Sequence, residues 1–432
     1  MDGRELRRLA GLLAVRLPDL DLDAVPDPRA REGRWSLGQI LRATLVGVMA
    51  GCKSLWETED LTDRLSTPMR RLLRLPRRLA DTTMRDALCR PELVGGLRTA
   101  LHRAVHAAWR RKALAPTGLP IGVLALDGKV TALPCINGEF AQTQHPKDGP
   151  VYGLVRTVTC ALVSAAGRPC IDAIPIPAHT NEMGYFQVAF ASVVRTYGKL
   201  FQMVTYDAGA LSEANGKAVV DAKKDYLFAL KNEHRTMLKL ATEMLAAQEV
   251  VARTVDVLDN QTTVTRTLKL LAVDPSWSYD DSKGPEESVW RHANAFLSVE
   301  SVTLRAGVVV ENEIRLFVSS RAPERLTPKQ WLYVVRAHWG VENQNHHTLD
   351  TAFAEDDRPW IEADEHGMLA VLLLRRIAYT LLALFRAVTL RSDEQRAMRW
   401  KALLARVRDA LVAASTASLA GLRVREGAAA VR

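Results

Sequence analysis

The stretch IGVLALDGKV, residues 121–130, decides the fold. It is a nearly unbroken apolar run that ends in Asp127 and Gly128. A continuous apolar run of this kind is typical of a strand that is buried on both faces of a sheet. We therefore predict a central strand that ends at Asp127.

Strand and helix patterns alternate after this central strand. The strand patterns are residues 152–169, 170–177, 199–208 and 225–232, and the helix patterns are residues 180–198 and 211–224. Pro175 and Pro177 indicate a sheet edge, because proline has no backbone N–H to offer a second neighbour. Thr180 or Asn181 is a suitable N-cap for the helix that follows. The order β-β-β-α-β-α-β predicts an α/β fold.

The flanking regions complete the predicted organisation. Apolar residues recur at helical spacing before residue 115 and again after residue 327, whereas alternation and Val/Thr enrichment between them favour strands. The last residues, 425–432, are expected to fray. The predicted regions are a helical N-terminal region, residues 1–115; an α/β region, residues 116–234 and 326–365; a β-rich insertion, residues 235–325; and a helical C-terminal region, residues 366–432.

The N-terminal region contains a candidate DNA-binding turn. Ser36 is a plausible N-cap for an early helix. Further on, Pro76 ends one helix and Asp81 or Thr82 caps the next, a pattern that resembles a short helix-turn-helix. The basic residues beside this turn are Arg77, Arg78 and Arg85. A plain helical bundle with solvated arginines explains the same pattern equally well.

The charge balance of the chain is basic. Lys and Arg outnumber Asp and Glu by 58 to 49, which gives a net charge of +9. This excess favours a polyanionic partner such as nucleic acid, although a merely basic soluble enzyme would have the same composition. The hydrophobic content of 48% and the charged content of 25% are those of a globular protein rather than a disordered one.

Cysteine usage and apolar runs bear on where the protein is located. The five cysteines include no C-x-x-C pair, so they indicate neither a zinc site nor a disulfide framework. Residues 1–20 carry acids and arginines and are unlike a secretory signal. The longest apolar stretch, residues 368–385, is interrupted by Arg375 and Arg376, so we expect it not to cross a membrane. A soluble cytoplasmic protein is predicted.

Asp127 and Asp207 each end a predicted buried strand. Open α/β sheets build their sites at the C-terminal ends of central strands. If the two strands are neighbours, the carboxylates face each other and repel unless a cation lies between them. Carboxylate oxygens suit magnesium, which binds through a few carboxylates and keeps several waters. The pair therefore predicts a magnesium site.

Glu342 is the candidate third carboxylate. On a helix it shares one stripe with residues three or four positions apart, namely Trp331, Val335, His338, Asn345 and Leu349. Most of this stripe would pack on the sheet, and Glu342 would then point at the edge of the sheet, near the two aspartates. A buried carboxylate is costly without a partner, and a metal ion would be that partner. An ion pair with Arg336 is the alternative for Glu342 alone. Together, the three carboxylates predict two-metal phosphoryl transfer, without a base of shifted pKa.

Histidines accompany Glu342 in the sequence. His338, Glu342 and His346 are four residues apart, which differs from the H-E-x-x-H arrangement of zinc sites. We therefore interpret the histidines as neutral core residues or as residues that face a phosphate. His338 is the candidate for contact with a phosphate beside the metal ions.

The motifs around these carboxylates resemble those of bacterial insertion-sequence transposases of the DDE type, within them the ISAs-type branch that includes the H-repeat-associated proteins. These motifs are ALDGK around Asp127, HTNEM at residues 179–183, VTYDAGALS around Asp207, KKDYLFALKNE at residues 223–233 and RAHWGVENQNHHTLDTAFAEDD around Glu342. The resemblance covers residues 120–365 and extends more loosely to residues 37–61. A lysine found near the glutamate of the related transposon branch is replaced here by Leu349.

The resemblance implies a ribonuclease H-like mixed sheet flanked by helices, with a β-rich insertion before the catalytic helix. It implies that Asp127, Asp207 and Glu342 hold two Mg²⁺ ions, for which Mn²⁺ may substitute. The implied activity is cleavage at the ends of a mobile element and joining of the 3′-hydroxyl ends to target DNA. Double-stranded DNA and a homodimer or larger synaptic complex are the implied partners, and no membrane. Further DNA contacts are predicted for Lys129, Arg336, His338 and Asn343.

Two other functions are compatible with the sequence. One is a ribonuclease H-like nuclease that cleaves DNA without joining it, and the other is a non-catalytic DNA-binding protein derived from a transposase. The C-terminal helix either contacts DNA or a second protomer, or simply presents a solvated face. Its basic residues are Arg391, Arg396, Arg399, Lys401 and Arg406.

Overall fold

The computed structural model describes most of the chain. The described residues are 3–29, 33–134, 137–207, 209, 211–231, 235–258, 261–274 and 292–422. The segment expected to fray, residues 425–432, and Cys135 lie outside these ranges. Cys52, Cys89, Cys160 and Cys170 are free thiols.

The N-terminal region is helical, as predicted. Its helices are α1 (Gly3–Arg16), α2 (Leu37–Met49), α3 (Leu55–Arg64), α4 (Thr67–Leu73), α5 (Asp81–Leu88) and α6 (Glu92–Arg110). Ser36 caps α2 in a capping box with Gln39, which confirms that prediction. The predicted cap of α5 is wrong, because Ala80 is the N-cap and Asp81 is the first helical residue. There Asp81 places its charge at the positive end of the helix without a side-chain cap.

One sheet of ten strands runs through the described part of the chain. Its strands are β1 (Val123–Pro134), β2 (Ala141–Gln144), β3 (Tyr152–Leu162), β4 (Cys170–Ile176), β5 (Met203–Tyr206), β6 (Asp225–Leu230), β7 (Ala252–Val257), β8 (Thr262–Ala272), β9 (Ala295–Arg305) and β10 (Val308–Ser319). The order is β2-β3-β1-β5-β6-β10-β9-β8-β7, and β4 also pairs with β3. Helices α7 (Glu182–Tyr197) and α8 (Glu213–Asp221) connect β4, β5 and β6.

The first strands have the order and directions of a ribonuclease H-like sheet. β3 is antiparallel to β1, whereas β1, β5 and β6 are parallel neighbours. β4 pairs with β3 alone, so the predicted edge position of its prolines is confirmed. β1 does not end at Asp127 as predicted, because it stays paired with β3 from Leu124 to Pro134 after it has parted from β5. The short strand β2 was not predicted.

The insertion begins with a helix and continues as sheet. Helix α9 (Arg235–Ala246) was not predicted and lies at the start of the segment that was predicted to be mostly β. Its apolar residues Met237, Ala241 and Leu245 are four apart and are buried, which is a helical spacing. The predicted β character holds for β7 to β10. Since β10 pairs antiparallel with β6, these strands extend the central sheet.

Two helical layers cover the sheet. Helix α10 (Pro328–His338) packs on one face, with Trp331 and Val335 fully buried against strand residues such as Val123 and Ala125. After a π-helical segment, Val341–His346, come α11 (His347–Thr351) and α12 (Glu365–Leu384). Helix α12 packs on α2, α6 and β4, which ties the N-terminal helices to the sheet.

The C-terminal region continues as helices. A π-helical segment, Phe385–Thr389, extends α12 and is followed by α13 (Asp393–Arg396), α14 (Trp400–Ala413) and α15 (Thr416–Leu419). In α14, Arg406 pairs with Glu5 of α1. Within the described ranges one helical stretch, Glu365–Thr389, is long and apolar enough to cross a membrane, and 94% of its most apolar window is buried inside the protein.

Candidate active site

Asp127 and Asp207 come from neighbouring parallel strands. Ala125 of β1 lies opposite Thr205 of β5 in the last pair of this ladder, and Asp127 and Asp207 each follow two residues later. Alternate residues of a strand share a face, so Asp127 lies on the face of β1 that also carries Ala125. The backbone N–H of Gly209 donates to Oδ1 of Asp207 at 2.9 Å, which fixes that carboxylate at the start of its turn.

Glu342 approaches the same face from the π-helical segment that follows α10. This segment contacts β1 and β3. The predicted stripe is correct for Asn345 and Leu349, which are fully buried, but Glu342 itself is exposed. A π-helix has a wider turn than an α-helix, so the spacing of three and four residues no longer holds through this segment. Glu342 was predicted to point at the edge of the sheet as a buried carboxylate, and in the structure it is exposed.

The charge of Glu342 nevertheless acts on Asp127. Burial raises the pKa of Asp127 to about 8, with further contributions from the charges of Glu342, Asp207 and Glu182, in that order. The Asp127 side chain is only 18% exposed, so water screens these charges weakly. Four carboxylates thus converge around the point where β1 and β5 separate.

Glu182 is the carboxylate that sequence reasoning missed. It is the first residue of α7, directly after the N-cap Asn181, whose side chain accepts a hydrogen bond from Gly184. Burial and the charge of Asp207 raise the pKa of Glu182, and Arg156 partly offsets them. Its sequence signal was present, because HTNEM was among the motifs of the resemblance and Asn181 was a predicted cap.

His346 holds Asp127 from the side of the π-helical segment. Its Nδ1 lies 3.3 Å from Oδ2 of Asp127, and its Nε2 lies 3.1 Å from Oγ1 of Thr159. Burial lowers the pKa of His346 to about 3, so the ring is neutral. When Asp127 is ionised it only accepts hydrogen bonds, so Nδ1 then donates to it and Nε2 accepts from Thr159.

His338, the last residue of α10, is buried against the sheet. Its Nδ1 lies 3.0 Å from Oγ1 of Thr205, and burial lowers its pKa to about 4. The ring is 6% exposed, which agrees with a neutral core histidine. The phosphate contact considered for His338 stays a prediction, and in this conformation the ring faces the sheet.

The donor set fits divalent cations bound partly through water and substrate. Among the described residues, no group of three or more His, Cys, Asp or Glu side chains is already arranged to ligate one ion. Magnesium, however, usually takes one or two carboxylates and completes its shell with waters and substrate phosphates. Within the described ranges, no lysine or arginine forms an ion pair with Asp127, Asp207 or Glu342. Asp127 instead contacts the neutral ring of His346. The uncompensated negative charge around buried Asp127 is what a divalent cation would balance.

The residues predicted to contact DNA are found in varied surroundings. Lys129 pairs with Asp350 and Asp356, and its partners leave its ammonium little exposed. Arg336 pairs with Asp256 at 2.5 Å, so the alternative pairing of Arg336 with Glu342 is wrong. Asn343 is exposed and lines a cleft of about 720 Å³ between the helix and strands β8 to β10.

The N-terminal arginines are at the surface. Arg77 lies 3.7 Å from Asp63 and Arg78 lies 3.0 Å from Glu59, while Arg85 is exposed on α5. Exposed pairs of this kind contribute little to stability and exchange readily for other partners. Their contact with DNA stays a prediction.

Comparison with known proteins gives a distant structural likeness. No family model matches the sequence, and no curated protein matches it either. The structure is similar to that of a piggyBac transposase seen by cryo-EM in a synaptic complex with hairpin DNA. The two chains share 11% sequence identity with a TM-score of 0.43, over 95% of this chain and 80% of the other.

Proposed function

We propose that this chain is a DDE-type transposase of the bacterial insertion-sequence kind, of the ISAs-type branch, which cleaves DNA at the ends of its element and joins the 3′-hydroxyl ends to target DNA. One observation carries the proposal. Asp127 and Asp207 each follow the last β1–β5 pair by two residues, and the charges of Glu342 and Asp207 both act on the Asp127 carboxyl. The motifs around these three residues support the same function.

Each site residue has a defined task in this proposal. Asp127, Asp207 and Glu342 would hold two Mg²⁺ ions, which when bound activate the attacking oxygen and stabilise the leaving oxygen of an in-line displacement. His346 orients Asp127 through its contact at 3.3 Å. The Gly209 N–H keeps the Asp207 carboxylate turned towards the strand end. Glu182 adds negative charge beside Asp207, which favours cation binding at the rim.

DNA is the proposed substrate because the reaction class and the charge of the chain agree. The net charge of +9 favours a polyanion, and exposed arginines occur beside the α4–α5 turn. Two element ends must be held together for strand transfer, so a homodimer or larger assembly is part of the proposal.

The decisive experiment separates catalysis from DNA binding. With Mg²⁺ and DNA that carries the element ends, the parent is expected to nick at those ends, whereas Asp127→Asn, Asp207→Asn and Glu342→Gln are expected to lose cleavage and keep DNA affinity. Asp221→Asn is the control, because Asp221 is an exposed partner of Lys217 on α8. Residual cleavage within a few-fold of the parent would disprove the assignment. Cleavage without strand transfer from pre-cut ends would identify a nuclease instead.

A further inference from the structure

Lys129 joins the strand that carries Asp127 to the segment that follows Glu342. Its ammonium donates to both carboxylate oxygens of Asp350, at 2.9 and 3.0 Å, and to Oδ2 of Asp356 at 2.7 Å. The Lys129 side chain is only 10% exposed, so these bonds are largely shielded from water. An ammonium has three N–H donors, and all three are used here, which leaves none for a DNA phosphate.

The partners of Lys129 are themselves fixed by a buried network. Glu355, next to Asp356, is 1% exposed, and its carboxylate accepts a hydrogen bond from the fully buried Arg376 of α12. The neighbouring Arg375 donates to the backbone carbonyl of Arg358. The chain that follows α11 is therefore held between β1 on one side and α12 on the other.

We propose that Lys129 is a positioning residue for the metal site, and that its bridge to Asp350 and Asp356 sets where Glu342 lies relative to Asp127. The inference rests on the function proposed above. Lys129 follows Asp127 by two residues and shares its face of β1. Asp350 lies on α11, directly after the π-helical segment that contains Glu342.

The bridge acts on a segment that needs support. A π-helical turn is rare and usually occurs where function requires a local departure from the α-helix. His346 attaches the end of this segment to Asp127 and Thr159, and Lys129 attaches the turn that follows. Magnesium demands nearly ideal octahedral geometry, so displacement of one carboxylate by about 1 Å is expected to weaken binding and to slow the reaction about 100-fold.

Loss of Lys129 would act in a defined direction. Asp350 and Asp356 would then face each other without a cation, and like charges at short range repel. Without the attraction of both carboxylates to Lys129, α11 would no longer be held against β1, and Glu342 would shift with it. DNA affinity would not change, because no N–H group of the Lys129 ammonium is free to bind a DNA phosphate.

The test uses Lys129→Met, which removes the ammonium and keeps the apolar stem, and Asp350→Asn, which removes the charge of one of the two carboxylates that Lys129 bridges. Cleavage rate is measured against Mg²⁺ concentration, and Mn²⁺ affinity is measured on the DNA-free protein. Both variants are expected to need about 10- to 100-fold more Mg²⁺ for cleavage and to bind Mn²⁺ correspondingly less well. Losses of this size are usual for residues that orient the ligands of a metal ion. The matched control is Lys217→Met, whose exposed pair with Asp221 lies on α8.

The double variant sharpens the test. Because Lys129→Met and Asp350→Asn remove the same interaction, their effects on Mn²⁺ affinity are expected to be less than additive, and fully additive effects would overturn the proposal. A Lys129→Met variant with lower DNA affinity and a salt dependence reduced by about one unit would identify a phosphate contact instead. If Lys129→Met does not fold, the variant that carries both Asp350→Asn and Asp356→Asn decides, and a parental Mg²⁺ requirement of that variant would refute the bridge.

The same measurements separate this inference from the proposed function. If the parent binds no divalent ion, or binds it equally well after Asp127→Asn, the proposed function fails and the inference falls with it. If the parent binds the ion through Asp127 while Lys129→Met and Asp350→Asn bind it as tightly, only the inference about Lys129 fails.

Discussion

The carboxylate of Glu182 occupies the space beside Gly128 in which any other residue would place its side chain. A Cβ atom built on Gly128 would lie 2.0 Å from the carboxyl carbon of Glu182, far inside contact distance. Gly128 directly follows Asp127, so the absence of a side chain at this position is what lets α7 bring a fourth carboxylate to the strand end.

Gly128→Ala is therefore expected to displace Glu182 and lower cleavage at least about tenfold, since small misplacements at a reacting centre are costly. Cleavage kinetics and Mn²⁺ affinity of the purified variant measure the effect. Gly95→Ala is the control, because a Cβ at Gly95 of α6 meets nothing within 4 Å and alanine favours helices by up to about 1 kcal/mol. Parental cleavage by Gly128→Ala would show that Glu182 has no part in the site.

Asp127→Asn is expected to stabilise the metal-free protein at neutral pH. The pKa of Asp127 is about 8 in the folded chain and near 4 in the unfolded chain, so folding takes up a proton between these values. The contribution of Asp127 to stability therefore decreases as pH rises from about 4 to about 8. In the presence of a chelator, the variant should exceed the parent in Tm at pH 7.5 and match it near pH 4. Equal Tm values at pH 7.5 would contradict the raised pKa.

Asp172→Asn is expected to have the opposite effect on stability. Burial alone would raise the pKa of Asp172, but hydrogen bonds from His102 and Arg98 outweigh it and lower that pKa. Ionised Asp172 therefore stabilises the fold at neutral pH, and this stabilisation is lost as pH falls below the ordinary carboxyl range. Removing one partner of a buried pair typically costs about 3–5 kcal/mol. Denaturant unfolding at pH 7 measures the loss, and an unchanged midpoint would exclude this account.

Binding of Mg²⁺ to the DNA-free protein is expected to release protons at pH 7. Asp127 must be ionised to ligate a cation, and its pKa of about 8 leaves it mainly protonated at that pH. The apparent affinity should rise with pH and level off above about pH 8. Calorimetric titration in two buffers of different ionisation enthalpy counts the protons, and a titration at pH 9 serves as the internal control. The same proton release at pH 7 and pH 9 would exclude Asp127 as its source.

His346→Phe is expected to slow cleavage about 10- to 100-fold without changing DNA affinity, because it removes the contacts with Asp127 and Thr159 and keeps a ring. Since burial holds the pKa of His346 near 3, the pH profile between 5 and 8 should keep its shape. His347→Phe, one residue further on at an exposed position, is the control. If the pH profile of the parent shows a titration near neutral pH that His346→Phe lacks, the His346 ring itself titrates there and its pKa is not near 3.

Sequence patterns were sufficient for the framework of the site. The apolar run before Asp127 predicted a buried central strand. The alternation of strand and helix patterns predicted the order of these elements along the chain. The pairing of β1 with β5, on which the meeting of Asp127 and Asp207 depends, is a matter of topology that a single sequence does not encode.

The local geometry of the site was less accessible from sequence. A stripe drawn with α-helical spacing predicted Glu342 as a buried carboxylate at the edge of the sheet, whereas in the π-helical segment Glu342 is exposed. Lys129 looked like a free basic residue beside Asp127, but its partners Asp350 and Asp356 lie 221 and 227 residues away. Contacts over such separations depend on tertiary packing and have no local signature.

The pairing of β10 with β6 has a consequence for engineering. A version of the chain shortened by removal of β7 to β10 would leave the whole outer edge of β6, Asp225–Leu230, as a row of bare peptide groups only one strand from Asp207. Such an edge invites intermolecular strand addition, so the trimmed protein would aggregate rather than yield a minimal catalytic core. The insertion thus extends the sheet and also covers the edge of β6.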